Sequence, residues 1–217
     1  MPTTTEPMLL SAALATGFVL GLRHALDPDH IAAVSTLSVR RKEYSGILRL
    51  AVWWGLGHTA TIALAAVVVA VLKSAVPPAV EASLEAVVGL MLIFLGGRLL
   101  FRRPDREADN RHAHAQRHGR TERQSFLIGA VHGLAGSAAV LLLAAVTIQS
   151  AAGLALFILV FGAGSIGGML LFTGVLGIPI TYFGSSAGFE RAFGIVASIA
   201  SIVVGIIVVA SSIGRLA

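Results

Sequence analysis

The sequence predicts an all-α integral membrane protein with about six transmembrane helices arranged as an inverted 3+3 repeat. Three observations carry that expectation. Of the 217 residues 56% are hydrophobic and only 12% charged, with a mean hydropathy of +0.86; water-soluble domains carry roughly 25% charged residues. Apolar runs between charges reach the ~18–20 residues that a spanning helix needs, and the ~10-residue alternating strands of a membrane barrel are absent. Short motifs of the first half also recur in the second. Most of the basic residues behind the net charge of +5 sit in two loops, where they report orientation in the lipid bilayer rather than a nucleic-acid partner. There is no cysteine, which excludes disulfides, iron–sulfur clusters and thiolate metal sites. The N-terminus, MPTTTEPM, lacks a basic n-region, so the first apolar run is expected to be retained.

The first span begins near Met8 and must end by the basic cluster Arg40, Arg41 and Lys42. About 32 residues at ~1.5 Å each exceed a ~30 Å hydrocarbon core. Counting ~20 residues back from the cluster puts His24 to His30 near mid-membrane. Pro28 removes a backbone donor and biases Asp27 away from helical backbone. A kink or break there frees carbonyls that a cation or a polar neighbour has to satisfy. The second span, about Gly46 to Leu72, carries Trp53 and Trp54 as interfacial aromatics and then GLGHTAT, with His58 near its middle. Lys73 and Pro77-Pro78 make a turn. The third span, about Val80 to Phe101, opens with Glu81 and Glu85, which read as a solvated interfacial face or an entry vestibule.

The polar stretch from Arg102 to Gln124 reads as a loop. Its His112, His114 and His118 fit either a solvated basic segment or a metal-binding tract. The fourth span, about Ser125 to Ile148, carries His132. The fifth, about Gly153 to Leu176, is expected to stop near Pro179, and the sixth, about Arg191 to Ile213, is plain apolar helix. The basic segments Arg40 to Arg49 and Arg98 to Arg123 both belong inside, with an even number of spans between them. That places both termini outside, in a multi-pass protein of the cell membrane. One transmembrane domain results: a first half at residues 8–101, an inner histidine-rich loop at 102–124, and a second half at 125–214.

The halves echo one another. GLRHAL (Gly21 to Leu26) matches GAVHGL (Gly129 to Leu134), superposing His24 on His132. GLGHTATI (Gly55 to Ile62) matches GAGSIGGM (Gly162 to Met169), bringing His58 close to Ser165, and a GRL closes each half. An odd number of spans per half forces the two to insert in opposite directions, the architecture of transporters with a midplane site.

The polar residues in that midplane set the chemistry. Each ionised group at a bilayer centre costs roughly 2.5–3.5 kcal/mol on insertion scales. His24, Asp27, Asp29 and His30 together are therefore a candidate site, and two imidazoles with two carboxylates suit a divalent transition metal. On an unbroken helix Asp27 lies beside both His24 and His30, while Asp29 points elsewhere unless the chain breaks at Pro28. One aspartate could orient a histidine rather than bind metal. His58 and His132 would bring the set to four to six N/O ligands, and Arg23 is expected to pair with an aspartate when metal is absent. The alternative for any single histidine is a hydrogen bond between helices.

These residues carry a family resemblance. RHALDPDHI (Arg23 to Ile31) resembles the RHAxDADHI signature of the nickel/cobalt transporter (NiCoT/NicO) family, and WWGLGHTAT (Trp53 to Thr61) resembles its FFxxGHS signature. The resemblance implies permeation of Ni²⁺ or Co²⁺, with His24, Asp29 and His30 as the family's His-x4-Asp-His element. The short chain is similar to the smaller, six-span branch. The family's LGxDTATE motif has no acidic counterpart in Gly133 to Val140. Two other classes use the same cluster differently. A membrane-embedded metal-dependent hydrolase would use it to activate water, though spans five and six add no acid. A metal-binding accessory protein would hold ions without moving them. Ligand type does not choose among Ni²⁺, Co²⁺ and Zn²⁺. Uptake is modestly favoured, because inward movement needs no coupled ion.

Overall fold

A computed structural model describes residues 5–39, 41, 43–72, 76–101, 114–135, 148, 150–184 and 186–216. These residues form an α-helical membrane protein with helices α1 (Thr5–His24), α2 (Pro28–Ser38), α3 (Tyr44–Leu72), α4 (Pro78–Phe101), α5 (His114–Gly133), α6 (Ala151–Phe183) and α7 (Ala187–Leu216). Among the described residues, four helices are long and apolar enough to cross a membrane: α3, α4, α6 and α7. Their outer faces carry large apolar side chains such as Leu64, Phe94, Leu171 and Val196, each more than half exposed. The buried positions mix large apolar residues such as Trp54, Leu92 and Phe161 with Ala, Ser, Thr and His. Large apolar side chains facing outward suit a hydrocarbon surround, and the small residues inside allow close helix contact.

Several expected boundaries move. The first expected span is two helices, α1 and α2, separated at Ala25–Asp27. Asp27 takes extended backbone (φ −61°, ψ 143°) and Pro28 opens α2 at its first turn, where a missing N–H costs nothing. The loop expected through Gln124 is helical from His114, because the Arg, Gln and Glu residues of that stretch are good helix formers. The helix end is also tied down: Glu122 pairs with Arg49 at 3.8 Å, which brings the two basic segments to one end of the bundle. The fourth expected span is helical only to Gly133, and residues 136–147, with His112, lie outside the described residues. α6 runs through Pro179 rather than stopping there, since a membrane helix tolerates one lost backbone bond when neighbours pack around it.

Helices far apart in the chain pack as pairs. α4 packs on α7, α3 on α5, α1 on α6, and α3 also on α6. Glycines set the register. A Cβ on Gly21 would strike the Phe161 carbonyl, and one on Gly129 would strike the Trp54 carbonyl. Likewise Gly164 abuts the Phe18 carbonyl and Gly57 abuts the Phe126 carbonyl. Further along, Gly17 meets Phe157 and Gly168 meets Ala25, while Gly129 meets Trp54 and Gly133 meets His58, so residue numbers rise together: α1 runs parallel to α6 and α3 parallel to α5. Gly55 against Ile166 and Met169, with Gly162 against Thr59, make α3 and α6 antiparallel. In the remaining pair Gly89 and Gly205 each meet the other's carbonyl, and Ser201 donates to the Leu92 carbonyl at 2.8 Å. α7 is thus not the plain apolar helix expected.

Candidate metal centre

Two helices end where the polar residues gather. α1 stops at His24, and the turn closes with the Leu26 N–H on the Arg23 carbonyl (2.9 Å) and the Asp27 N–H on the His24 carbonyl (3.1 Å). α5 stops at Gly133 with the same pair of bonds, Leu134 to Val131 (3.3 Å) and Ala135 to His132 (3.2 Å). Each helix therefore points its partly negative C-terminal end at the cluster, which favours a cation there.

The break at Pro28 decides which carboxylate meets which ring. Asp27 turns back to His24, whose Nδ1 lies 2.8 Å from its Oδ2. Asp29, swung in by the new helix axis, accepts from the His30 backbone N–H at 2.9 Å and faces His30 Nδ1 at 3.0 Å. Its other oxygen lies 2.8 Å from Nε2 of His132, contributed by α5. His58, from α3, meets His24 with the two Nε2 atoms 3.2 Å apart. The structure thus brings together His24, Asp27, Asp29, His30, His58 and His132. Asp27 lies beside His24 alone, not beside both rings, because the chain is extended at that residue. Arg23 is exposed and pairs with neither aspartate, since histidines already hold both carboxylates.

The electrostatics follow from these contacts. An Nδ1–H donated to Asp27 leaves His24 with a bare Nε2. By the same logic His30 keeps a bare Nε2 and His132 a bare Nδ1, and neither atom has a partner, nor does Nδ1 of His58. All three of these rings are almost fully buried, at 2%, 0% and 1% exposure for His30, His58 and His132. Carboxylates that fix imidazole tautomers in this way are the usual support of metal-binding histidines. The spacing fits as well. Two nitrogens about 2.0–2.1 Å from one dication, at about 90–110°, lie about 2.9–3.4 Å apart, and the His24–His58 pair is at 3.2 Å. Among the described residues, two groups have ligand atoms within 4.8 Å of one another: His24, His30 and His58, and Asp29, His30 and His132.

Some members of the site lie beyond what sequence alone indicated. Trp54 is fully buried and walls the cluster, with ring centroids 5.2 Å from His30 and 5.5 Å from His132. It is not an interfacial aromatic, because Trp54 faces α5 at the close approach of Gly129. Phe161 packs 5.7 Å from His24. Ser165 is buried with an unpartnered hydroxyl, and only the likeness of GAGSIGGM to GLGHTATI in the sequence marked it. Away from the cluster, Glu85 is neither solvated nor free: Arg215 and Ser212 of α7 bind its carboxylate. His114 and His118 fall in the first turns of α5.

The chain is 35% identical over 208 residues to the urease accessory protein UreH of Bacillus sp. (strain TB-90), covering 91% of this chain and 90% of that protein. It is also 35% identical over 79 residues to the high-affinity nickel transport protein of Cupriavidus necator, covering 36% of this chain and 22% of that one. No family model matches the chain, and no solved structure matches it.

Proposed function

The chain belongs to the nickel/cobalt transporter (NiCoT) family, and on that premise we propose that it is a permease for Ni²⁺ or Co²⁺. The carrying observation is a buried set of imidazole nitrogens without protein partners, fixed by aspartates, at the convergent ends of α1 and α5. His24, Asp27, Asp29, His30, His58 and His132 form the metal site on this reading. The cation sheds its water, is met there by the rings and carboxylates, and leaves toward the other face.

Six spans in a 3+3 inverted repeat complete the proposal, with α1–α2, α3 and α4 as one half and α5, α6 and α7 as the other. The helix contacts support it. Exchanging the halves turns the α1–α6 pair into α5–α3 and returns α3–α6 and α4–α7 to themselves. Parallel packing of α3 with α5 is what opposite insertion of the halves requires. Both termini then lie outside the cell membrane, with the basic ends of α3 and α5 inside.

Uptake is the proposed direction. A divalent ion gains about 4.6 kcal/mol per 100 mV on moving toward a negative interior, so inward flux needs no coupled ion. The test is accumulation of nickel and cobalt in cells expressing the wild type or His24→Ala. Loss of accumulation in the variant, and a fall in the wild type when the membrane potential is discharged, are expected. Equal accumulation in the two strains ends the proposal. The name of the UreH relative favours a second reading, a metal-binding accessory protein without transport. Reconstituted vesicles that bind but do not take up metal would establish it. Neither relative is named as an enzyme, and catalysis forms no part of the proposal.

A further inference from the structure

We propose that the centre holds its cation in two alternative positions that share His30, one position for each half of the repeat. The inference rests on the permease reading above and divides its site. His24 and His132 are matched by the repeat, and His30 stands evenly between them, with ring centroids 4.5 Å from His24 and 4.4 Å from His132. Each of the matched histidines holds its own carboxylate, Asp27 for His24 and Asp29 for His132. Each also belongs to a separate group of ligand atoms close enough to grip one ion: His24, His30 and His58 in the first, Asp29, His30 and His132 in the second. His30 alone is in both.

The two groups differ in chemistry. The first offers three imidazoles and the second two imidazoles with a carboxylate. In the first position His24 and His30 bind through nitrogens that are already bare, and the proton on Nε2 of His58 passes to its unpartnered Nδ1. In the second, the protons between Asp29 and the two rings pass to the opposite ring nitrogens, Nε2 of His30 and Nδ1 of His132. Both of those atoms are buried and unpartnered, so the proton count is unchanged. A cation moving between the positions breaks its bond to Nε2 of His30 and forms one to Nδ1 of the same ring as the ring proton changes sides. The positions are not filled together, since a neutral imidazole offers one lone pair and the proton of His30 blocks whichever nitrogen does not bind. One ion per chain, distributed over two ligand sets, is the consequence.

The experiment is a Co²⁺ titration of the purified protein in detergent, followed by the visible absorption of the bound ion, whose bands report the ligand set. The wild type is expected to bind one equivalent with a composite spectrum. His24→Ala should keep binding with the spectrum of the carboxylate-containing set, and His132→Ala should keep binding with that of the three-imidazole set. His30→Ala should lose both. His132→Asn, which retains a donor to Asp29, guards against misfolding and should match His132→Ala. Two outcomes overturn the inference while leaving the permease reading intact. In one, His24→Ala and His132→Ala both abolish binding, as a single site would. In the other, His132→Ala keeps the wild-type spectrum, which would make His132 a hydrogen-bonding neighbour only. A wild type that binds no Co²⁺ and no Ni²⁺ overturns both proposals.

Discussion

Asp29→Asn is the most informative single change, because one carboxylate holds two rings from different helices. Asp29 receives the His30 backbone N–H at 2.9 Å, His30 Nδ1 at 3.0 Å and His132 Nε2 at 2.8 Å. An asparagine keeps the shape and one acceptor, so the backbone bond survives. It loses the charge, and it turns an amide N–H₂ toward one ring that now presents its own N–H. Charge-assisted hydrogen bonds are about twice as strong as neutral ones, which contribute about 1 kcal/mol. Weakening both ring bonds therefore costs about 2 kcal/mol of preorganisation, or about 30-fold in metal affinity. That figure falls within the roughly 10–100-fold effects seen when a partner of a metal-bound histidine is removed. Calorimetric titration of Ni²⁺ into purified wild type and Asp29→Asn measures the ratio of Kd values directly. Asp29→Ala, which removes the remaining acceptor as well, should fall further. A ratio within twofold of unity would mean that the carboxylate neither orients nor binds, and the geometric reasoning would be wrong.

Three further outcomes follow from the same contacts. Gly129→Ala drives a methyl against the Trp54 carbonyl, whereas the same change at Gly97 meets nothing within 4 Å. The first should lower stability by about 1–3 kcal/mol, less a helix-propensity gain of about 1 kcal/mol, and the second should gain up to that amount; thermal melts in detergent that failed to separate the two would contradict the α3–α5 packing. Reversing the charge at Arg215, which is half-exposed beside Glu85, should cost less than about 1 kcal/mol, and the double exchange Glu85→Arg with Arg215→Glu should restore it in the same melt. Metal binding needs unprotonated imidazoles and carboxylates, so Ni²⁺ affinity should fall steadily as the medium is acidified; an affinity that does not change with acidity would exclude the histidines as ligands.

Much of the fold and part of the site were readable from the chain. Sparse charge and long apolar runs established helices in a bilayer, and the cost of burying His24, Asp27, Asp29 and His30 marked a candidate site. These signals are local: hydropathy and Pro28 act over a few residues and need no knowledge of neighbours. Helix ends were read less well where local signals conflicted. The segment from His114 to Gln124 is polar enough for a loop yet made of good helix formers, and contact with Arg49 resolves it. Pro179 is a helix breaker in water but not among packed membrane helices.

What the sequence by itself determined is therefore the medium, the approximate limits of α3, α4 and α7 and the list of polar residues that a membrane interior would not otherwise keep. Only the tertiary structure decided how those residues meet. Asp29 and His132 are 103 positions apart, and on an unbroken helix Asp29 would face away from His30. Rotation of the chain at Asp27 and Pro28, together with glycine contacts that draw α5 against α3, puts one carboxylate between two rings. The direction of a side chain in a membrane bundle depends on the axis of its helix and the faces of its neighbours, and neither is a property of any local stretch of residues.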